Sequence, residues 1–212
     1  MSSRIDPREY DLVARLAFAP IYPYLARRIT EKFGIIKGVC IDIGSGPGSL
    51  AIEMARLTNL RVYSLDINPK MTSIARKNVA KAGLARRITA LTADVCSMPF
   101  GDDSVDLAIS RGSIPFWADR IAALREVRRV LRPSGAAYLG GGFGSDEIRD
   151  SVMKAFSTDK RLAAVRERFV GGVKRMKLQP EELKADLAKA GIPGTVELEN
   201  CGIWAQFVKH GT

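Results

Sequence analysis

Three aspartates, each closing a short apolar run, are the residues of this chain best placed to do chemistry. Asp42 lies in Val39-Cys-Ile-Asp-Ile43, Asp66 ends Arg61-Val-Tyr-Ser-Leu-Asp66, and Asp94 ends Ile88-Thr-Ala-Leu-Thr-Ala-Asp94. A carboxylate at the end of an apolar strand is costly without a partner, so each asks for one. Just after the first comes Gly44-Ser45-Gly46-Pro47-Gly48, a turn whose glycines let a ligand touch main chain where a Cβ would clash. Such a turn alone is a weak signal, because NAD sites use a similar one. Asp42, two residues before Gly44, would repel a pyrophosphate and suits a ligand with a positive ammonium. No Gly-Lys-Ser/Thr follows the turn, so there is no Walker pattern. Asp66, about 20 residues beyond the glycines, can accept both hydroxyls of a ribose. Asp94 can accept from the exocyclic amine of an adenine, with the Val95 N–H serving a ring nitrogen. Ammonium, ribose and adenine in a row match three acids at three successive strand tips.

The elements that must position these groups alternate along the chain. Periodicity predicts strand 39–43, helix 48–57, strand 61–66, helix 68–82, strand 88–92, strand 105–110, helix 118–130 and strand 135–141. Gly83 stops the second of these helices. Alternation of this kind implies a parallel sheet with helices on both faces. Upstream, Tyr10, Val13, Leu16 and Ala17 recur at helical spacing, Pro20 and Pro23 break it, and Tyr24 to Phe33 resume it. Residues 1–35 therefore read as a helical cap over the carboxyl edge of the sheet. Residues 143–178 are basic and helical with a break at Gly171-Gly172, and read as a lid. Gln179–Ala190 reads as a helix, and Thr195–Asn200 with Ile203–Val208 as a closing strand pair. The chain divides as cap 1–35, ligand-binding core 36–142, lid 143–178 and closing unit 179–212, all within one domain.

The constellation resembles the class I S-adenosylmethionine-dependent methyltransferases, most nearly the small-molecule branch typified by the ubiquinone/menaquinone-biosynthesis enzymes. Ile43-Gly-Ser-Gly-Pro-Gly48 matches that family's first motif, Asp66 its ribose-binding acid, and Asp94-Val95 its adenine-binding pair. Asp106-Leu-Ala-Ile-Ser110 matches the fourth strand and Leu131-Arg-Pro-Ser-Gly135 the turn before the fifth, so the match covers roughly residues 36–140. Glu9-Tyr10-Asp11 resembles a segment that folds over the cofactor in many relatives. Arg111-Gly-Ser-Ile-Pro-Phe-Trp117 departs from the general pattern and resembles a little-characterised archaeal and bacterial subgroup. The resemblance implies a Rossmann-like α/β fold: a mostly parallel seven-stranded sheet with an antiparallel closing strand and helices on both faces. It implies S-adenosyl-L-methionine as cofactor, S-adenosyl-L-homocysteine as product and no metal. Its cofactor-binding residues would be Tyr10, Asp42, Gly44, Ser45, Gly46, Gly48, Asp66, Ile67, Asn68, Met71, Asp94, Val95, Ser110 and Arg111.

Methyl transfer from a sulfonium needs a nucleophile held in line and water excluded. His210 is the only histidine, so a histidine base is not expected and the acceptor should already be nucleophilic: an amine, a thiolate, a stabilised carbanion or an acidic phenol. Tyr10, Tyr22 and Tyr24 are the proton carriers to consider, although an ordinary tyrosine, near pKa ~10, is a weak base. Arg111 can bind the cofactor carboxylate, an anionic group of the substrate, or a neighbouring helix. Ser113, Phe116 and Trp117, after the fourth strand, are expected to face the substrate with Tyr22 and Tyr24; the alternative for Trp117 is core. Met71 and Met98 either flank the adenine or fill gaps. Gly140 to Gly144 after the fifth strand reads as a tight turn, the alternatives being a hinge for the 143–178 lid or close approach by a substrate.

The chain has 212 residues and a net charge of +10, enough length for one α/β domain with its own core. The basic residues read as dispersed, solvated helix faces more than as a nucleic-acid patch. The nucleic-acid alternative, an RNA methyltransferase, lacks an Asn-Pro-Pro-aromatic motif, since Ser110-Arg-Gly-Ser stands after the fourth strand. A cofactor-binding protein without turnover is the third reading. No run approaches the ~20 apolar residues of a membrane span. The N-terminus lacks an apolar signal core, so a cytoplasmic protein is expected. Cys40, Cys96 and Cys201 are widely spaced and form no metal pattern. The expected partner is a small molecule, anionic if Arg111 contacts it; oligomeric state is not legible.

Overall fold

A computed structural model of the protein describes residues 6–166, 178–199 and 201–211. Its strands are β1 (Lys37–Ile43), β2 (Asn59–Asp66), β3 (Ile88–Thr92), β4 (Val105–Arg111), β5 (Leu131–Gly142), β6 (Thr195–Glu199) and β7 (Gly202–Val208). They form one sheet in the order β3-β2-β1-β4-β5-β7-β6. The first five run parallel, while β7 is antiparallel to both β5 and β6. The order reverses between β1 and β4, which opens a crevice outside their carboxyl ends. All three sequence-identified aspartates lie on that edge.

The helices are α1 (Pro7–Leu16), α2 (Ile21–Phe33), α3 (Ser49–Leu57), α4 (Pro69–Lys81), α5 (Arg120–Val130), α6 (Asp146–Thr158) and α7 (Pro180–Ala190), with a 3-10 turn at Ile114–Phe116. Short polar side chains start several of them. Asp6 accepts from the Arg8 and Glu9 N–H groups, Asn68 from Lys70, and Asp119 from Ile121 and Ala122. Residues 160–166 are also helical. The Gly171-Gly172 break expected in the lid lies outside the described residues, as does Asn200 in the closing strand pair. Among the described residues no helix is long and apolar enough to cross a membrane.

Alternation along each strand sends neighbours to opposite layers. Cys40 packs with Val13, Ile21, Leu25 and Ile29 of the first two helices, all essentially inaccessible to water. Its neighbour Ile41 packs on the other side with Leu124, Val127 and Leu183. The N-terminal helices thus share the core of β1, β4, β5 and β7, and each buried Leu or Ile contributes roughly 1.5–3 kcal/mol. Ion pairs from Arg28 to Glu199 and from Lys32 to Glu197 and Glu199 also fasten α2 to the closing hairpin, and the Tyr138 hydroxyl donates to Glu199.

Most boundaries lie within two residues of expectation, and two differ by more. α2 starts at Ile21, so Pro23 lies inside it rather than before it. A first-turn residue has no intrahelical N–H bond to lose, so proline is tolerated there. β5 starts at Leu131 rather than at residue 135, because Leu131 already pairs with Val105. The register then shifts before Leu107 meets Ala136, and Ser134 takes φ +69° within the irregular stretch.

Candidate functional site

The turn after β1 is built from backbone that only glycine adopts cheaply. Gly44, Gly46 and Gly48 have φ of +63°, +55° and +82°. A Cβ at Gly44 would lie 2.2 Å from the Ser113 Cβ, and one at Gly46 would lie 3.2 Å from the Tyr10 ring. The turn is tied to β2 by the Ser45 N–H, which donates to the Leu65 carbonyl, and by a 2.6 Å contact between the Ser45 and Ser64 hydroxyls.

Each acid already has backbone donors. Asp42 is 2 % exposed and accepts from the Ala51 N–H at 3.1 Å, in the first turn of α3. Burial pushes its carboxyl up to about 8, the one N–H bond opposes that, and the charge of Asp66 adds to it. Asp66 accepts from Gly46 N–H at 2.9 Å and Asn68 N–H at 2.8 Å. Its carboxyl is also raised, burial outweighing those two bonds. Asp94 accepts from the Cys96 N–H at 2.9 Å, which bends the chain around buried Val95 towards buried Met98.

Across the crevice, the end of β4 meets the N-terminal helices. The Arg111 guanidinium lies 4.4 Å from the Phe18 ring centroid and 5.7 Å from that of Tyr22. It also hydrogen-bonds the Tyr10 hydroxyl, and its Nε donates to the Gly142 carbonyl at 3.3 Å. Among the described residues no carboxylate pairs with it. Burial raises the pKa of Tyr10, with Arg111 opposing and Asp66 and Asp42 reinforcing the rise. Tyr22 is buried and bonded to Ser49, and burial drives its pKa up further. Both phenols therefore keep their protons across the neutral range.

The fold thus gathers Tyr10, Tyr22, Asp42, Asp66 and Arg111 around the glycine turn. Other expected site residues are engaged elsewhere. Ser110 and Ser113 share a 2.6 Å contact, Ser113 donates to the Ile43 carbonyl, and the Trp117 indole donates to Ser113 at 3.0 Å. The Trp117 ring packs against the core on the α5 side of the sheet, so this trio braces the loop after β4. Tyr24 packs over Gly144, whose Cβ would meet its ring at 2.8 Å. Gly144 has φ +99° in the bend before α6, but Gly140 to Gly142, expected in a tight turn, extend β5 and pair with β7. Asn68 caps α4, Met71 is half-buried, and Ile67 and Phe116 are 67 % and 65 % exposed on the rim. Sequence reasoning passed over Phe18, Ser49 and Asn78. Asn78 Nδ2 donates to Asp11 at 2.9 Å and to the Pro47 carbonyl at 3.0 Å, pinning α1 and α4 to the glycine turn. None carries a local signal, because each acts on a partner at least 27 residues away.

Comparison with known proteins agrees with this arrangement. A family profile described as a methyltransferase domain matches residues 41–139. A solved structure from Methanococcus maripaludis, of a proposed S-adenosyl-L-methionine-dependent methyltransferase, is 37 % identical with a TM-score of 0.86, over 97 % of this chain and 93 % of that one. The ubiquinone/menaquinone biosynthesis C-methyltransferase UbiE of Citrifermentans bemidjiense is 33 % identical over 138 residues, 64 % of this chain and 58 % of the relative. Methyltransferase GfsG of Streptomyces halstedii is 35 % identical over 138 residues, 63 % of this chain and 50 % of the relative. The chain therefore spans only half to three-fifths of the length of these two curated relatives.

Proposed function

The chain belongs to the class I S-adenosylmethionine-dependent methyltransferases, and we propose that it methylates a small-molecule acceptor by direct in-line displacement. The small-molecule reading is supported by the name of one relative, a ubiquinone/menaquinone biosynthesis C-methyltransferase. The observation that carries the cofactor assignment is the glycine turn at the tip of β1, flanked by the Asp66 carboxylate and covered by the Tyr10 ring. A Cβ at Gly46 would fill that narrow gap.

S-adenosylmethionine, when bound, supplies a methyl group on a cationic sulfur. On this reading Asp66 takes the ribose hydroxyls, Asp94 and Val95 read the adenine, and Asp42 faces the ammonium. Arg111, with no carboxylate beside it among the described residues, receives the cofactor carboxylate or an anionic group of the acceptor. Tyr10 and Tyr22 close the chamber from the N-terminal side and exclude water. Holding their protons, they donate hydrogen bonds rather than remove protons from the acceptor. The acceptor must therefore arrive nucleophilic, as an amine, thiolate, stabilised carbanion or acidic phenol. A metabolite screen with purified protein, reading S-adenosylhomocysteine release, tests the assignment. Tight S-adenosylhomocysteine binding with an acceptor found supports it, whereas calorimetry showing tighter binding of NAD would overturn it.

A further inference from the structure

Residues 67–93 carry six of the chain's lysines and arginines and no aspartate or glutamate, in a protein whose whole net charge is +10. The basic residues read as dispersed along the sequence, but the fold leaves Lys70, Lys77, Lys81 and Arg86 exposed while Arg76 and Arg87 reach backbone carbonyls. Lys70, Lys77 and Lys81 recur at helical spacing along α4, on the side opposite its buried Thr72, Ala75 and Val79. All three are exposed, and the stripe runs about 16 Å at 1.5 Å per residue. Exposed Arg86 continues it in the turn before β3. Because β2 and β3 are parallel, α4 runs back from the crevice edge to the far edge of the sheet. Lys70, two residues after Asn68, stands at the rim of the proposed cofactor site.

Several basic residues elsewhere on the molecule are ion-paired, whereas others, Arg61, Lys154 and Lys160 among them, form no ion pair among the described residues. Arg129 pairs with Asp102 and Glu126, Arg132 with Asp106, Arg149 with Asp146 and Asp150, and Lys209 with Asp103. Among the described residues none of the six in 67–93 forms an ion pair. Arg76 and Arg87 donate instead to the backbone carbonyls of Ala90 and of Thr58 and Leu60. Like charges along one unneutralised face repel each other and attract a polyanion. A protein partner would need an apolar anchor at the centre of its footprint. None of the exposed large apolar residues lies on α4, although Ile67 is exposed at the crevice rim just before it. Its outer face also lacks the apolar stripe with which an amphipathic helix enters a lipid surface. Point charges in a row, with no apolar anchor, fit a phosphodiester backbone.

We propose that the outer face of α4 and the turn into β3 form a docking surface for the phosphate backbone of a nucleic acid, leading to the rim of the crevice. Such docking is independent of sequence, in keeping with the missing Asn-Pro-Pro motif, and it locates the enzyme rather than choosing the methylated atom.

The test is fluorescence anisotropy with a short unstructured RNA and a DNA of equal length. The proteins are the full chain, the triple variant Lys70→Gln/Lys77→Gln/Lys81→Gln, and a control triple Lys154→Gln/Lys160→Gln/Lys184→Gln. At about 50 mM salt the stripe variant should bind RNA at least tenfold more weakly, and its log–log salt slope should be shallower by about 2, three single-strand phosphate contacts at ~0.7 each. DNA should behave similarly, while the control triple should bind like the parent. S-adenosylhomocysteine affinity and circular dichroism should be unchanged in both variants. No RNA binding by the parent at that salt, or equal losses in the two variants, would overturn the surface. So would lysine-stripe-dependent binding of polyglutamate or of phosphatidylserine vesicles with no binding of RNA.

Discussion

The two walls of the crevice are built in different ways. On the β1–β3 side, every carboxylate is held by backbone donors close in sequence: Asp42 by Ala51, Asp66 by Gly46 and Asn68, Asp94 by Cys96. On the β4–β5 side, Arg111 meets Tyr10, Phe18 and Tyr22 across about ninety residues of chain. The first wall is a set of hydrogen bonds spanning at most 20 residues, completed within single strand–turn–helix units except for the Gly46–Asp66 bond, which joins two. The second exists only once α1 and α2 have docked on the sheet. On the proposed function, the first wall would hold the cofactor and the second would discriminate among acceptors.

That contrast can be broken most forcefully at Gly46. Replacing it with valine adds a branched side chain at φ +55°, against the Tyr10 ring. Calorimetry should show S-adenosylhomocysteine affinity reduced by about a hundredfold or more, near 3 kcal/mol, with the sheet intact by circular dichroism. Normal binding would remove the glycine turn from the site. Next in size is Asp66→Ala, which should cost on the order of 1–3 kcal/mol of cofactor affinity, the scale of hydrogen bonds to a charged group. Unchanged affinity would make Asp66 purely a brace for Gly46 and Asn68.

Asp42 sharpens the comparison through pH. Its folded pKa of about 8 lies above the unfolded carboxylate value, so the folded protein holds the proton more tightly. The stability this contributes is complete below the unfolded pKa near ~4 and is lost as pH rises through about 8. Asp42→Asn should therefore flatten the fall in thermal stability between mildly acidic and mildly alkaline buffer. Pairing with the ligand's ammonium requires the carboxylate, so binding near neutrality should release about one proton. Calorimetry of the parent in buffers of different ionisation enthalpy should detect that release, and Asp42→Asn should abolish it. A binding enthalpy independent of buffer in the parent would place the ammonium elsewhere.

The smallest effects belong to the second wall. Tyr22→Phe removes one hydroxyl bonded to Ser49 and should cost about 1 kcal/mol of stability by denaturant titration. Because Tyr22 keeps its proton throughout the neutral range, the variant's pH–rate profile should have the parent's shape. Loss of an ascending limb present in the parent would make Tyr22 the general base. Phe18→Leu should leave cofactor affinity within about twofold, if rings around Arg111 serve the acceptor through a partly desolvated cation–π contact worth ~1–2 kcal/mol. Acceptor KM should rise by more than that.

Much of this molecule was legible before folding. The apolar runs ending in Asp42, Asp66 and Asp94, the glycines between the first two and the alternation of periods specify strand tips, a turn and a parallel sheet. All of these depend on interactions within a few tens of residues. The turn chemistry is stricter still, since three positive φ angles admit little but glycine. The acid-free stretch 67–93 was equally visible, but only α4 aligned its lysines on one face and left them without counter-charges. Tertiary structure alone decided that Pro23 sits inside a helix and that Trp117 and Ser113 brace a loop. It also brought Phe18 and Tyr22 to the Arg111 guanidinium. Such contacts follow from how helices dock on a sheet, through apolar burial that is non-directional and compatible with many sequences. A hydrogen-bonded turn is written in the residues that form it, while a wall between distant segments is written only in their packing.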